Sequence, residues 1–387
     1  MTDVLISGSS IAGPALAYWL ARSGFTPTLV ERAPGLRPGG QGVDVRGAAL
    51  GVLEAMGLLD AARAQRTRIR GVSGIGPGGE ELWRSEEMSI TGGRFDNPDI
   101  EILRDDLSAL LLGQLPSATE IIFDDSIIDL REEADGVAVR FARTPARKFD
   151  LVVGADGLRS ATRSLVFGDE RQFLRPMGMA LAVFTAPNHI GLKDWQISYQ
   201  DGADNCLVYT ARENRELRVG LGFAADFDDV ARDQAKQKAQ IQQRFGHMGW
   251  EVPRLLEAIS EAQDFYLGVM AQVIMPHWTA GRVALVGDAA YCPSPLSGQG
   301  TSLSLVGAYV LAQELAQSPA DHNAAFAPYE ARMRPFVEKN QAIAKMSQDE
   351  RFLEPAYQAE IQAALDIAKN GIDIGSIIKS EPVAPVS

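Results

Sequence analysis

Residues 4–31 constrain this chain more than any other stretch. Val4-Leu5-Ile6 is a short apolar run of strand character that breaks at Gly8. A helical pattern follows, with Leu16 and Leu20 on one side and Pro14 near the first turn, where its missing N–H costs nothing. Gly24 ends that pattern, and "TPTLVER" supplies a second strand that ends at Glu31. Strand, glycine turn, helix, strand and acid form the order of a dinucleotide-binding unit. Glu31 follows Gly13 at close to the ~20 residues expected of an acid that binds a ribose hydroxyl. An acid there disfavours a 2′-phosphate.

The turn itself departs from the G-x-G-x-x-G pattern. It reads Gly8-Ser9-Ser10-Ile11-Ala12-Gly13, with serine where the middle glycine lets backbone approach a pyrophosphate. Serine is small and polar and its hydroxyl could donate to phosphate. On the loop alone FAD, NAD and a βαβ unit without a ligand all stay open.

Two later segments bear on the same question. "FDLVVGADGLRSATR" (149–163) is an apolar strand that turns sharply at Gly154-Ala155-Asp156-Gly157. An acid on such a turn, at the carboxyl end of a parallel strand, is placed to touch a ligand, although Asp-Gly turns are common. "GRVALVGDAAYCPSPLSGQGT" (281–301) is another strand ending in Gly287-Asp288, then a loop rich in proline and glycine, then a helix from about Thr301. Gly298 and Gly300 can present N–H groups at that helix start, where the dipole favours negative charge.

Composition narrows the function class. A net charge of −13 argues against a nucleic-acid surface. The two cysteines, Cys206 and Cys292, cannot build a disulfide framework and suit a reducing cytoplasm. The start "MTDVL" lacks a basic secretory n-region, and glycine, proline and serine interrupt the apolar run of residues 4–21, so no membrane span is expected. The four histidines are scattered without metal-ligand spacing, and no metal is expected.

"GSSIAG", "GADG" and "GDAAYCPSPLSGQG" occur in the order and rough spacing of the FAD-dependent aromatic hydroxylases, the flavoprotein monooxygenases similar to p-hydroxybenzoate hydroxylase. With "GGQGVDVRG" (39–47) and "EILRDDL" (101–107), the chain most resembles the soil-type tetracycline-inactivating members. The resemblance implies an α/β fold: a Rossmann-like FAD-binding domain with a parallel sheet, an antiparallel-sheet substrate domain and C-terminal bridging helices. Gly8, Ser10, Ala12 and Gly13 would carry the pyrophosphate turn, and Glu31 the adenosine ribose with Arg32 beside it. Arg104 would reach the cofactor near its pyrophosphate and ribityl portion; the bland alternative is an ion pair with Asp105 or Asp106. Asp156 would serve FAD and the nicotinamide nucleotide, and Asp288 the ribityl or pyrophosphate region. The Pro295–Thr301 backbone, with Gly298 and Gly300, would face the flavin ring, and Asp44 and Arg46 would lie near it.

The resemblance also implies the chemistry. NADPH or NADH reduces FAD transiently, the flavin moving to meet it, with Gly39, Gly40 and Gly42 beside the ring permitting movement. Reduced FAD and O2 then give a C4a-hydroperoxide that oxygenates an electron-rich phenol or enol, so no protein catalytic triad is needed. The expected organisation is a discontinuous FAD domain (1–72, 98–170 and 276–325), a substrate domain (73–97 and 171–275), C-terminal helices over 326–371 and a tail over 372–387. In the substrate region "MALAVFTA", "CLVYTA" and "LRVGLGFA" read as strands of an antiparallel sheet. Phe184, Thr185, Tyr209, Arg218 and Phe223 are candidates to face a polycyclic or phenolic ligand. Arg218 on an inward face needs a partner, which a substrate enolate could supply. The leading reading is a cytoplasmic, monomeric enzyme of tetracycline inactivation and so of antibiotic resistance. Hydroxylation of another aromatic or polyketide, or a flavoprotein that merely sequesters an aromatic drug, are the alternatives.

Overall fold

The computed structural model describes residues 2–87, 97–231, 233–349, 351 and 354–374. Most of the expected tail, from residue 375 onward, and residues 88–96 of the expected substrate segment lie outside the described residues.

Two sheets organise the chain. The first has six strands in the order Thr279–Ala280, Val283–Leu285, Leu151–Gly154, Asp3–Ser7, Thr26–Glu31 and Glu120–Phe123. All neighbours are parallel except the antiparallel hairpin formed by the first two. Its central strands are continuously apolar because both faces are covered. Val4, Ile6 and Val153 pack into a core with the helices Ala12–Arg22 and Gly300–Gln317. Leu5 and Val152 face the other way, against Val137, Val139, Phe141 and Phe149 of a three-stranded antiparallel layer.

The second sheet has seven strands: Tyr266–Val273, Leu174–Pro187, Glu216–Ala224, Asp204–Ala211, Gln196–Asp201, Val72–Ile75 and Glu81–Ser85. Only the pairing of Gln196–Asp201 with Val72–Ile75 is parallel. One face is closed by the helices Gln234–Phe245 and Val252–Glu257, whose Ile241, Phe245, Val252, Leu255 and Leu256 pack on it. The other face turns toward a two-strand ribbon, Gly42–Val45 with Ile100–Leu103, which carries on from the first sheet's segments.

The helix His322–Met346 starts at Asp321, whose carboxylate accepts from the amides of Asn323 and Ala324. It runs through Pro328 and Pro335, and burial of Phe326, Tyr329, Met333, Phe336 and Val337 offsets the backbone bonds those prolines remove. Its far end joins the two sheets. Gln341 donates to the Val273 carbonyl at 2.8 Å, and Gln272 donates to the Gln341 and Pro293 carbonyls at 2.7 and 3.2 Å. A last helix, Pro355–Lys369, packs on it through Tyr357, Ile361 and Leu365.

Candidate cofactor and substrate site

At the carboxyl edge of the first sheet, Gly8 adopts φ +106°, and a side chain there would meet the Ala155 carbonyl oxygen at 2.4 Å. At Gly13 it would meet the Gly8 carbonyl oxygen at 1.9 Å, so helix and strand approach as closely as only glycine permits. The helix Ala12–Arg22 begins without a side-chain cap and without an acid in its first turn, leaving its first N–H groups for an anion. Half-buried Ser10 stands at that opening. Glu31 is nearly buried; its Oε2 accepts from the Ser9 amide (2.9 Å) and hydroxyl (3.2 Å), its Oε1 from the Ala33 amide (3.0 Å). A carboxylate has about four acceptor sites, so a ribose hydroxyl can still be held. Arg32 is exposed at the end of the same strand.

The "GADG" and "GDAAY" segments meet beside this turn. Both oxygens of Asp156 are engaged locally, by Ser160 Oγ at 2.5 Å and by the amide and hydroxyl of Thr162 at 3.0 Å each. Asp156 therefore fastens the start of the helix Ala161–Phe167, and its reach toward a ligand is correspondingly small. Arg163, which the sequence reading passed over, does the joining: it is fully buried and donates to the carbonyls of Ala289 (2.9 Å) and Leu158 (2.7 Å). Asp288 opens the next short helix, and burial pushes its carboxyl up from the ordinary range, with the Cys292 thiol pulling the other way.

Two residues with positive φ, Ser294 (φ +76°) just before the Pro295–Thr301 loop and Gly298 (φ +62°) within it, precede the uncapped start of the helix Gly300–Gln317. Gln299 at that start is fully buried, and neither its Oε1 nor its Nε2 has a protein partner among the described residues. Pro295 is exposed and Leu296 half-buried. Leu296 packs with Met177, Met179, Leu181 and Met270 as an apolar wall between this loop and the second sheet. Arg46 is buried against Asp44 (2.9 Å), and its amide donates to Ser302 Oγ at 3.0 Å, which ties the 44–46 segment to the same helix start. An uncapped helix, an orphaned buried amide and a carboxyl raised by burial fit a ligand with a diphosphate, hydroxyls and a polar ring edge. These are the features of FAD.

Arg104 does not form the alternative ion pair with Asp105 or Asp106. Those acids take Arg212 (2.8 and 2.5 Å), while Arg104 donates to the carbonyls of Gly39 (2.8 Å) and Arg37 (3.1 Å). Burial and then neighbouring Arg37 lower its proton affinity. The Gly39–Gly42 strap is held from both sides. Asp105 accepts from the Gly39 amide at 3.0 Å, Arg218 donates to the Gly40 carbonyl at 3.1 Å, and Tyr209 accepts from the Gly42 amide at 2.6 Å.

On the substrate side the strand period of two decides which candidates face the strap. Thr185, Arg218 and Tyr209 are direct neighbours across three strands and share the strap-facing side. Phe184 and Phe223 lie on the opposite face, fully buried among Phe245, Ile241 and the covering helices; they are core, which corrects the expectation for both. Arg218 also has protein partners, Glu216 at 2.8 Å and the Gly40 carbonyl, so its charge needs no substrate enolate to be satisfied. The strap-facing side includes positions the sequence reading missed: Leu181, Val183, Leu207 and, between them, Gly220 and Gly222. A Cβ at Gly220 would lie in ordinary contact with Leu181 and Leu207, and one at Gly222 would meet Asn205 Oδ1 at 2.8 Å, so the glycines here accommodate their strand neighbours. Phase was the missing signal. Phe223 is out of phase with Arg218 on its own strand and Phe184 with Thr185 on its own, and the pairing of Thr185 with Arg218 aligns the two rows.

Comparison with known proteins agrees with this geometry. The family described as "FAD binding domain" matches residues 1–343. An uncharacterized protein of Mycobacterium tuberculosis is 51% identical over 342 residues, which are 88% of this chain and 92% of that one. A flavin-dependent monooxygenase of an unknown prokaryotic organism is 41% identical over 343 residues, 88% of each chain. Among solved structures, tetracycline destructase Tet(51) superposes with a TM-score of 0.88 at 32% identity, over 97% of this chain and 99% of that one.

Proposed function

The chain belongs to the FAD-dependent monooxygenases of the aromatic-hydroxylase type, oxidoreductases, and on that premise we propose that it uses NADPH or NADH and O2 to oxygenate a tetracycline. The observation that carries the substrate reading is the likeness to tetracycline destructase Tet(51), beside a row of Thr185, Arg218 and Tyr209 turned toward the Gly39–Gly42 strap. The wall of Leu181, Met177, Met179, Met270 and Leu296 would exclude water from the reacting end of a polycyclic substrate. Gly8, Ser10, Ala12, Gly13, Glu31, Arg104 and Asp288 would hold the diphosphate, ribose and ribityl portions of FAD. Pro295, Gly298, Gly300, Thr301 and Arg46 would border its ring. When bound, FAD supplies the redox chemistry: it accepts hydride from the nicotinamide nucleotide and activates O2. The residues of the chain would bind, orient and exclude water around it; Tyr209 would present its hydroxyl to the substrate, while the Thr185 hydroxyl donates to Asp264 at 2.6 Å.

The test is direct. The purified protein should carry or take up flavin, and NADPH consumption should rise when tetracycline is added, with tetracycline gaining one oxygen atom by mass. Absence of reconstitutable flavin would overturn the cofactor assignment. Flavin without tetracycline-stimulated NADPH consumption would overturn the substrate and leave another phenol or polyketide in its place.

A further inference from the structure

Glu101 and its neighbours Asp44 and Thr67 have no task in the proposed function. In the ribbon of Gly42–Val45 with Ile100–Leu103, Asp44 stands directly opposite Glu101, so both carboxylates rise from one face. Like charges in that position destabilise a ribbon unless something compensates. Arg46 pairs with Asp44, while Glu101 accepts from Thr67 Oγ1 at 2.6 Å and has no ion pair within contact distance among the described residues. The second sheet sets a matching pair against this face, Tyr209 directly opposite Arg218, and the Gly42 amide bonded to Tyr209 Oη pins ribbon to sheet. Tyr209 is 7% exposed, and its own hydroxyl proton has no acceptor among the described residues. Among the described residues, Asp44, Arg46, Tyr209 and Arg218 are the titratable or charged groups facing Glu101. Of these Arg46 is paired with Asp44 and Arg218 with Glu216.

We propose that Glu101 is a catalytic base that ionises the substrate, taking the proton of its phenol or enol hydroxyl, with Asp44 and Thr67 as positioning residues. The substrate O–H bond breaks, its electron pair stays on the substrate oxygen, and the proton forms a new O–H bond on a Glu101 carboxyl oxygen. No oxidant or reductant is consumed. The oxyanion so made enriches the ring carbon that receives oxygen, and the free Tyr209 proton is placed to hydrogen-bond to that oxyanion. A base of this kind works best when it titrates near the operating pH. Burial first, and Asp44 across the ribbon second, push Glu101 up to about 7. The inference rests on the phenol-or-enol reading of the substrate.

The experiment uses the flavin-loaded protein, as wild type, Glu101→Gln, Glu101→Asp and Asp44→Asn, with flavin retention and circular dichroism confirming the fold. Infrared pH titration should show a protonated-carboxyl band in the wild type that disappears near pH 7 and is absent in Glu101→Gln. In Asp44→Asn the band should titrate at lower pH. Tetracycline bound without reductant should ionise at least tenfold less readily in Glu101→Gln, as read from its absorption spectrum against pH. Glu101→Asp should recover part of the loss, and turnover of Glu101→Gln should fall about 100-fold. No titrating band in the difference between wild type and Glu101→Gln, or an unchanged ionisation profile, overturns the inference. If tetracycline fails to bind wild type while the Glu101 band titrates as described, the substrate assignment fails and the carboxyl result stands.

Discussion

On the proposed function the two sheets would meet their ligands in different ways. The parallel sheet would meet FAD end-on. What would face the cofactor is backbone and turn at the carboxyl ends of strands, so each contributing segment is a short contiguous motif such as "GSSIAG" or "GDAAY". The antiparallel sheet would meet the proposed substrate face-on. Its contributing groups are single side chains two residues apart, drawn from strands far apart in the chain. An end-on site is therefore written in local sequence, whereas a face-on site is written in phase and register, which only pairing reveals.

Three measurements can break or sharpen that contrast. The largest effect belongs to Phe184→Ala. If the aromatic is core on the helix-covered face, the substitution costs ~3–5 kcal/mol of stability, read by denaturant unfolding. A variant of native stability with weakened substrate binding would place Phe184 on the ligand face after all. Next comes the pH dependence of stability contributed by Glu101. Its carboxyl is raised from 4.5 to about 7 in the folded chain, so the folded state binds the proton more tightly than the unfolded one. Its contribution to stability is present below pH 4.5 and is lost as pH rises through 7, a change of roughly 3 kcal/mol at most. Glu101→Gln should remove that fall, melting above wild type at pH 8 and losing the advantage toward pH 4.5. A constant difference across that range would mean the carboxyl is not held neutral in the fold. The smallest effect separates the sheets directly. Asp288→Ala should weaken FAD retention about 10- to 100-fold, the loss of hydrogen bonds to a charged group, and Arg218→Ala should weaken it far less. Equal losses would mean that the end-on and face-on sites are one.

Legibility followed the same division. The strand–turn–helix–strand of residues 3–31, the strand into "GADG" and the strand into "GDAAY" all form where the apolar runs and glycines indicate. The FAD-binding family was readable because "GSSIAG", "GADG" and "GDAAYCPSPLSGQG" are short local motifs that occur together in order, the first resting on glycines at 8 and 13 that sterics require. Thr185, Tyr209 and Arg218 were readable as inward groups because polar residues interrupt apolar strands there. Phe184 and Phe223 were misread because aromatic residues suit a core and a ligand wall equally well. Gln299, Arg163 and Glu101 carried no signal of their own. Their importance comes from what they lack or join in space: an unpaired buried amide, a guanidinium bridging two turns, and a carboxyl facing another across a ribbon.

The Gly39–Gly42 strap has a kinematic consequence. It is anchored at two points on different bodies, by Arg104 and Asp105 on one and by Arg218 and Tyr209 on the other. A segment fixed at one end can swing alone, but one fixed at both ends has a single soft coordinate shared by its supports. Any displacement of this strap must strain bonds to both bodies at once, so movement at the edge of the cofactor site is mechanically registered at the strap-facing side of the antiparallel sheet, and the reverse.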